Sequence, residues 1–131
     1  MTNQELTLAW AAKSKEYPLL ESFNGAGIAE EPVCGDRLEI RLKVNEFGSI
    51  ENAGFSLTDT ACPPLWACAA YACANCIGKP ALTAFTMNSK KIGFALAEDG
   101  SPDKNHMHCA IMTEIALKRA LADYGSSFQK R

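Results

Sequence analysis

Between Arg37 and Val44 the chain alternates strictly, with Leu38, Ile40, Leu42 and Val44 apolar and Arg37, Glu39, Arg41 and Lys43 charged. A period of two with one charged set predicts a half-buried antiparallel strand with one wet face. Asn45-Glu46-Phe47-Gly48 supplies turn chemistry, and Ile50, Ala53, Phe55 and Leu57 mark a return strand, so the segment predicts a hairpin. Elsewhere the apolar pattern is helical. Thr2-x-x-Glu5 has capping-box spacing ahead of Leu6, Leu8, Ala9, Trp10 and Ala12, which predicts a first helix to about Glu16, before Pro18. Residues 65–77, after Pro63-Pro64 and before Gly78, are apolar on every side except at Asn75 and predict a central helix. Shorter helices are predicted over 81–87 and 91–97. A last one runs from about 108 to 124, where Ile111, Met112, Ile115, Ala116 and Leu121 fall at helical spacing.

Two stretches show no period. Asn24-Gly25-Ala26-Gly27 through Glu30-Glu31-Pro32 is expected to be a mobile loop leading into Val33-Cys34-Gly35-Asp36, and Glu98-Asp99-Gly100-Ser101-Pro102-Asp103 a solvent-facing loop. Strands followed by helices, rather than alternating with them, place the chain in the α+β class. With 131 residues, 47% of them hydrophobic and 21% charged, residues 1–131 are expected to form a single domain with a real core.

Charge and targeting signals exclude several partners. The formal charge is -2 and no Lys or Arg run is present, so nucleic acid is not an expected partner. The most apolar stretch, 61–74, is broken by Pro63-Pro64 and falls short of the roughly 18 residues of a membrane span. Met1-Thr2-Asn3-Gln4-Glu5 opens with no basic region followed by an apolar one, so a cytoplasmic location is expected. In such a chain the six cysteines, at 34, 62, 68, 73, 76 and 109, read as reduced thiols rather than as three disulfides.

Three of those cysteines stand at suggestive places. Cys34-Gly35-Asp36 puts a thiol and a carboxylate two residues apart, on the same side if the segment is extended. Taken alone, a buried Cys before a strand with Asp as a turn residue is the more ordinary reading. Cys62 directly precedes a helix that begins with prolines, where the helix dipole favours the thiolate. Cys109 follows His108 near another helix start. Adjacent helical residues diverge, so these two can share one metal only where the helix begins. Together the three thiolates, with Asp36 and His108 available, suit an iron–sulfur cluster or Zn²⁺. Neither paired C-x-x-C knuckles nor ferredoxin spacing occurs. Cys68, Cys73 and Cys76 fall within the apolar helix, and core packing is the better reading for them.

The stretch Val33-Cys34-Gly35-Asp36-Arg37-Leu38-Glu39-Ile40, followed by Leu42-Lys43-Val44-Asn45-Glu46 and Ile50-Glu51-Asn52-Ala53-Gly54-Phe55, resembles the opening of the U-type iron–sulfur cluster scaffold family (IscU and the N-terminal domain of NifU). Cys62 keeps that family's distance to Gly78-Lys79. The stretch from His108-Cys109-Ala110 through Ala116-Leu117-Lys118-Arg119-Ala120-Leu121-Ala122-Asp123-Tyr124 is similar to its C-terminal helix. The resemblance implies a three-stranded antiparallel sheet with helices packed against it. It further implies Cys34, Cys62 and Cys109 as cluster ligands, His108 as a ligand or alternate ligand, and Asp36 as the group that keeps the cluster labile. A cysteine desulfurase would supply sulfur, an iron donor the iron, and a [2Fe-2S] cluster would pass to apo iron–sulfur acceptor proteins, so the chain would be a scaffold and not an enzyme.

The chain departs from the family in its Pro63, where a Gly is usual, in two extra residues between Phe55 and Cys62, and in Trp66-Ala67-Cys68-Ala69-Ala70-Tyr71 in place of a small serine- and alanine-rich helix start. The family's Leu-Pro-Pro-Val-Lys segment is absent before His106-Met107-His108-Cys109, so the resemblance does not extend to a dedicated Hsp70-type chaperone. Two other functions fit the same donors: a zinc-bound sulfur acceptor that activates a cysteine desulfurase, as in the SufU branch, and a zinc-stabilised interaction domain. The SufU branch carries a long insertion between its second and third cysteines and lacks the histidine before the third. This chain has a short spacer and keeps His108.

Overall fold

The alternating segment forms the middle strand of a sheet. A computed structural model describes residues 3–30, 35–58, 61, 63–95 and 104–129 of the chain. In it, β1 (Gly25–Glu30), β2 (Arg37–Val44) and β3 (Ile50–Leu57) are antiparallel in the order β1-β2-β3. The helices are α1 (Asn3–Ala12), continued by a 3₁₀ turn over Lys13–Glu16, α2 (Pro63–Cys76), α3 (Ala81–Ala84), α4 (Ser89–Ala95) and α5 (Lys104–Gln129). The three-stranded α+β architecture expected from the sequence is present. The capping box at Thr2 and the loop 98–103 lie outside the described residues.

The strand register explains which face is wet. Leu38, Ile40 and Leu42 pair with Leu57, Phe55 and Ala53 on one side and with Ala29, Gly27 and Gly25 on the other, all buried. Helices α2 and α5 cover this face. The opposite face carries Arg37, Glu39, Arg41 and Lys43, held by ion pairs such as Arg41 Nε to Glu39 at 2.7 Å. A register shift at Lys43/Val44 accounts for the return strand's apolar spacing of three between Ile50 and Ala53.

The stretch expected to be a mobile loop is instead strand β1. Its inward positions are Gly25, Gly27 and Ala29, which give no hydrophobic alternation in the sequence, yet they are buried because α5 lies directly on them. A Cβ at Gly27 would stand 2.2 Å from the Ala116 carbonyl oxygen and 2.3 Å from the Ala120 nitrogen, so only glycine admits this backbone contact. The outer edge of β1 is closed by α5 side chains. Asp123 accepts the Ala26 N–H at 2.9 Å and Arg119 donates to the Ile28 carbonyl at 2.7 Å. Helix bounds also differ from expectation: α1 gives way to a 3₁₀ turn after Ala12, α3 is shorter, α4 begins earlier, and α5 begins a turn before 108 and runs past 124.

Gly27→Ala is expected to destabilise the fold by about 1–3 kcal/mol or to displace α5 from the sheet, the usual cost of overpacking a closed contact. Urea unfolding of the variant beside the parent measures this.

Candidate metal centre

Antiparallel topology brings the described ends of three cysteine-bearing segments to one end of the sheet. The β1–β2 connection runs between Glu30 and Arg37, which are register partners and form an ion pair at 3.7 Å. The β3–α2 connection leaves the same end: Arg37 N–H donates to Thr58 Oγ1 at 2.8 Å, and Thr58 N–H to the Arg37 carbonyl at 3.2 Å. Helix α5 runs against β1, with Ala120 and Tyr124 beside Gly25 and Ala116 beside Gly27. Its early turns therefore reach Glu30. There His108, Ile111, Met112, Ile115 and Arg119 form a shallow groove of about 130 Å³ with Ala29 and Glu30. Helix α2 starts at Pro63, at this end, and finishes near Ile50 at the other, where Gly78 N–H donates to the Ile50 carbonyl at 2.8 Å. The two longest helices thus point their amino ends, the positive ends of their dipoles, to the same place.

Cys34 and Cys62 lie outside the described residues. Asp36 is half-buried immediately before β2, and Cys109 is buried on α5. His108 is exposed and lines the groove. Because α5 begins at Lys104, His108 and Cys109 are in regular helix rather than at its start, and they point about 100° apart. One faces solvent and the other the interior. Gly35 has φ +76°, so the backbone is not extended at this residue, and the strand alternation expected across it does not apply. The left-handed glycine is where the chain turns into β2. Among the described residues no group of three or more His, Cys, Asp or Glu side chains is placed to hold a metal ion.

The sequence reading missed how firmly the approach to residue 62 is held. Ala61 is buried; its N–H donates to the Thr58 carbonyl at 2.9 Å, and its own carbonyl accepts the Trp66 indole N–H at 3.1 Å. The signal was present in the large polar-tipped aromatic four residues beyond Cys62. Cys68, Cys73 and Cys76 are fully or almost fully buried in the core, as their helix suggested. Burial pushes the Cys76 thiol up to about 12 against the opposing pull of Lys79. Burial, and then the neighbouring Cys76, raises Cys73 as well. These are protonated core thiols and not nucleophiles.

A family model described as NifU-like N terminal domain matches residues 11–130. The chain is 30% identical over 117 residues to the iron–sulfur cluster assembly scaffold protein IscU of Buchnera aphidicola subsp. Schizaphis graminum, covering 84% of this chain and 81% of that protein. It is likewise 30% identical over 109 residues to the protein of that name from Escherichia coli, covering 78% and 75%. Among solved structures, a Fervidobacterium islandicum protein assigned as the iron–sulfur cluster assembly scaffold of the SUF system superposes with a TM-score of 0.68 at 16% identity. That match covers 89% of this chain and 94% of the other, and at this identity the likeness is one of fold. No helix among the described residues is long and apolar enough to cross a membrane.

The buried thiols predict an alkaline weakness. Unfolded thiols ionise from about pH 8.5, whereas folded Cys76 keeps its proton to about pH 12. Their contribution is therefore intact below about pH 8.5 and is lost as pH rises, by up to about 1.4 kcal/mol per pH unit for each thiol. Urea unfolding at pH 7.5 and pH 10 should show a steeper loss in the parent than in a Cys73→Ala/Cys76→Ala variant.

Proposed function

Since the chain belongs to the NifU-like N-terminal domain family, whose members are scaffolds for iron–sulfur cluster assembly rather than enzymes, we propose that it builds a labile [2Fe-2S] cluster on Cys34, Cys62 and Cys109 and passes it to apo acceptor proteins. The whole chain acts as one scaffold domain, with the cluster as its cargo. Sulfur comes from a cysteine desulfurase and iron from a donor. Asp36 and His108 are the further donors, one of which completes the ligand set, and the divergence of His108 from Cys109 on α5 favours Asp36.

One observation carries this reading: the described ends of the three cysteine-bearing segments meet at one end of the sheet, beside the amino ends of α2 and α5. A positive helix end favours the thiolate over the thiol, and the thiolate is the form that binds iron. Three soft ligands alone do not close two iron sites. The one remaining position falls to a carboxylate or an imidazole, which holds iron less firmly than a fourth thiolate. That difference separates a scaffold, which must release its cargo, from an electron-transfer protein. The same donors accept Zn²⁺ when iron and sulfide are absent.

Anaerobic incubation with iron, cysteine and a cysteine desulfurase is expected to give a visible-absorbing [2Fe-2S] species that transfers to apo-ferredoxin. Tight zinc with no cluster under any reconstitution condition would instead favour the zinc-bound sulfur acceptor. Asp36→Ala should still assemble a cluster, yet release it several-fold more slowly and survive air longer. Absorbance decay and transfer rate, compared with the parent, are the measurements. Faster loss, or transfer at the parental rate, would reduce Asp36 to a plain ligand or a turn residue.

A further inference from the structure

We propose that Trp66 is a positioning residue for the cluster site, its indole N–H fixing the peptide through which the chain enters Cys62. The inference rests on the reading of Cys62 as a ligand. Trp66 is the fourth residue of α2, and its bond to the Ala61 carbonyl, 3.1 Å long, reaches back across the helix start and closes a hydrogen-bonded loop of chain from Ala61 to Trp66. Within that loop Pro63 and Pro64 have fixed φ values and no N–H to offer in exchange. Ala61 is buried, so its carbonyl needs a protein donor. The indole ring itself is seated on Phe55 of β3, with centroids 5.9 Å apart.

A second link continues from there. Ala61 N–H bonds the Thr58 carbonyl at 2.9 Å, and Thr58 Oγ1 accepts the N–H of Arg37, the residue after Asp36, at 2.8 Å. An unbroken series of bonds therefore runs from the Asp36 side of the site to the peptide before Cys62, and Trp66 is its last member. Holding a ligand's backbone before the metal arrives removes part of the ordering cost of binding, as outer-shell partners do at metal centres generally.

The test is an anaerobic Co²⁺ titration of the whole chain, followed by thiolate-to-cobalt charge-transfer absorption, with urea unfolding of each protein alongside. Trp66→Phe keeps a ring against Phe55 and deletes the donor. It should bind Co²⁺ about three- to tenfold more weakly, the range one neutral hydrogen bond supplies, and lose it to a chelator correspondingly faster. Replacing the indole N–H by sulfur, with 3-benzothienylalanine at position 66, holds size constant and should give the same loss, even if Trp66→Phe folds poorly. Phe55→Leu trims the packing but leaves the donor, so it should lower the urea midpoint while keeping Co²⁺ affinity within about twofold. Parental affinity in the sulfur variant overturns the inference, as does equal weakening in Phe55→Leu. A parent that binds no cobalt through thiolates overturns the ligand set itself, which sets that failure apart.

Discussion

Backbone contact between β1 and α5 governs the architecture. Gly25 and Gly27 let the helix lie directly against the strand, with no side chain between the two main chains at Ala116 and Ala120. That contact fixes α5 antiparallel to β1 and sets how far along the strand each helical turn falls. The turn with His108 and Cys109 is thereby carried to the end where β1 gives way to the Cys34 connection. The same packing closes the edge of the sheet: Arg119 and Asp123 take up outward-facing groups of β1 that another strand could otherwise pair with. At the far edge, Phe55 N–H is taken by the Tyr17 carbonyl, so the third strand is partly covered as well.

From this frame follows a sorting of the thiols by environment. Cys68, Cys73 and Cys76 are inside α2, where burial holds at least the last two in the neutral form. They contribute volume and apolar contact to the core. The cysteines proposed as ligands stand elsewhere, on a strand connection, at the amino end of α2 and near that of α5. For Cys62, directly before α2, the helix dipole acts in the opposite sense to burial, whereas Cys109 is itself buried and is set apart by its place towards the amino end of α5. One residue type would thus serve two purposes in one small chain, separated by position along the helices.

Much of this was legible in the sequence where side chains carry the period. The β2–β3 hairpin and α2 follow from alternating or continuous apolar positions, and the family resemblance rests on motifs that bracket both. Strand β1 was not legible, because its inward residues are Gly, Gly and Ala and their partner is a helix backbone far along the chain. The start of α5 was misplaced by about one turn, which turned an expected helix-end pair into two diverging neighbours at His108 and Cys109. The extended backbone assumed across Cys34-Gly35-Asp36 does not hold at Gly35, whose left-handed φ could not be read from a glycine that strands also tolerate. Long-range contact and main-chain sign are the two properties that local pattern does not encode.

The two sides of the proposed site differ in how they are built, and the difference bears on how a scaffold works. On one side the approach to Cys62 is braced by Thr58 and Trp66, and Cys109 belongs to a helix whose placement β1 fixes. On the other, Asp36 follows a glycine turn where, among the described residues, a Cβ at Gly35 would meet nothing within 4 Å. As the proposed donor there, a carboxylate is harder than thiolate and would hold iron less firmly. Fixed thiolates would keep the cargo oriented during exchange, while the Asp36 side would yield first. Retention and release would then belong to opposite sides of the proposed site.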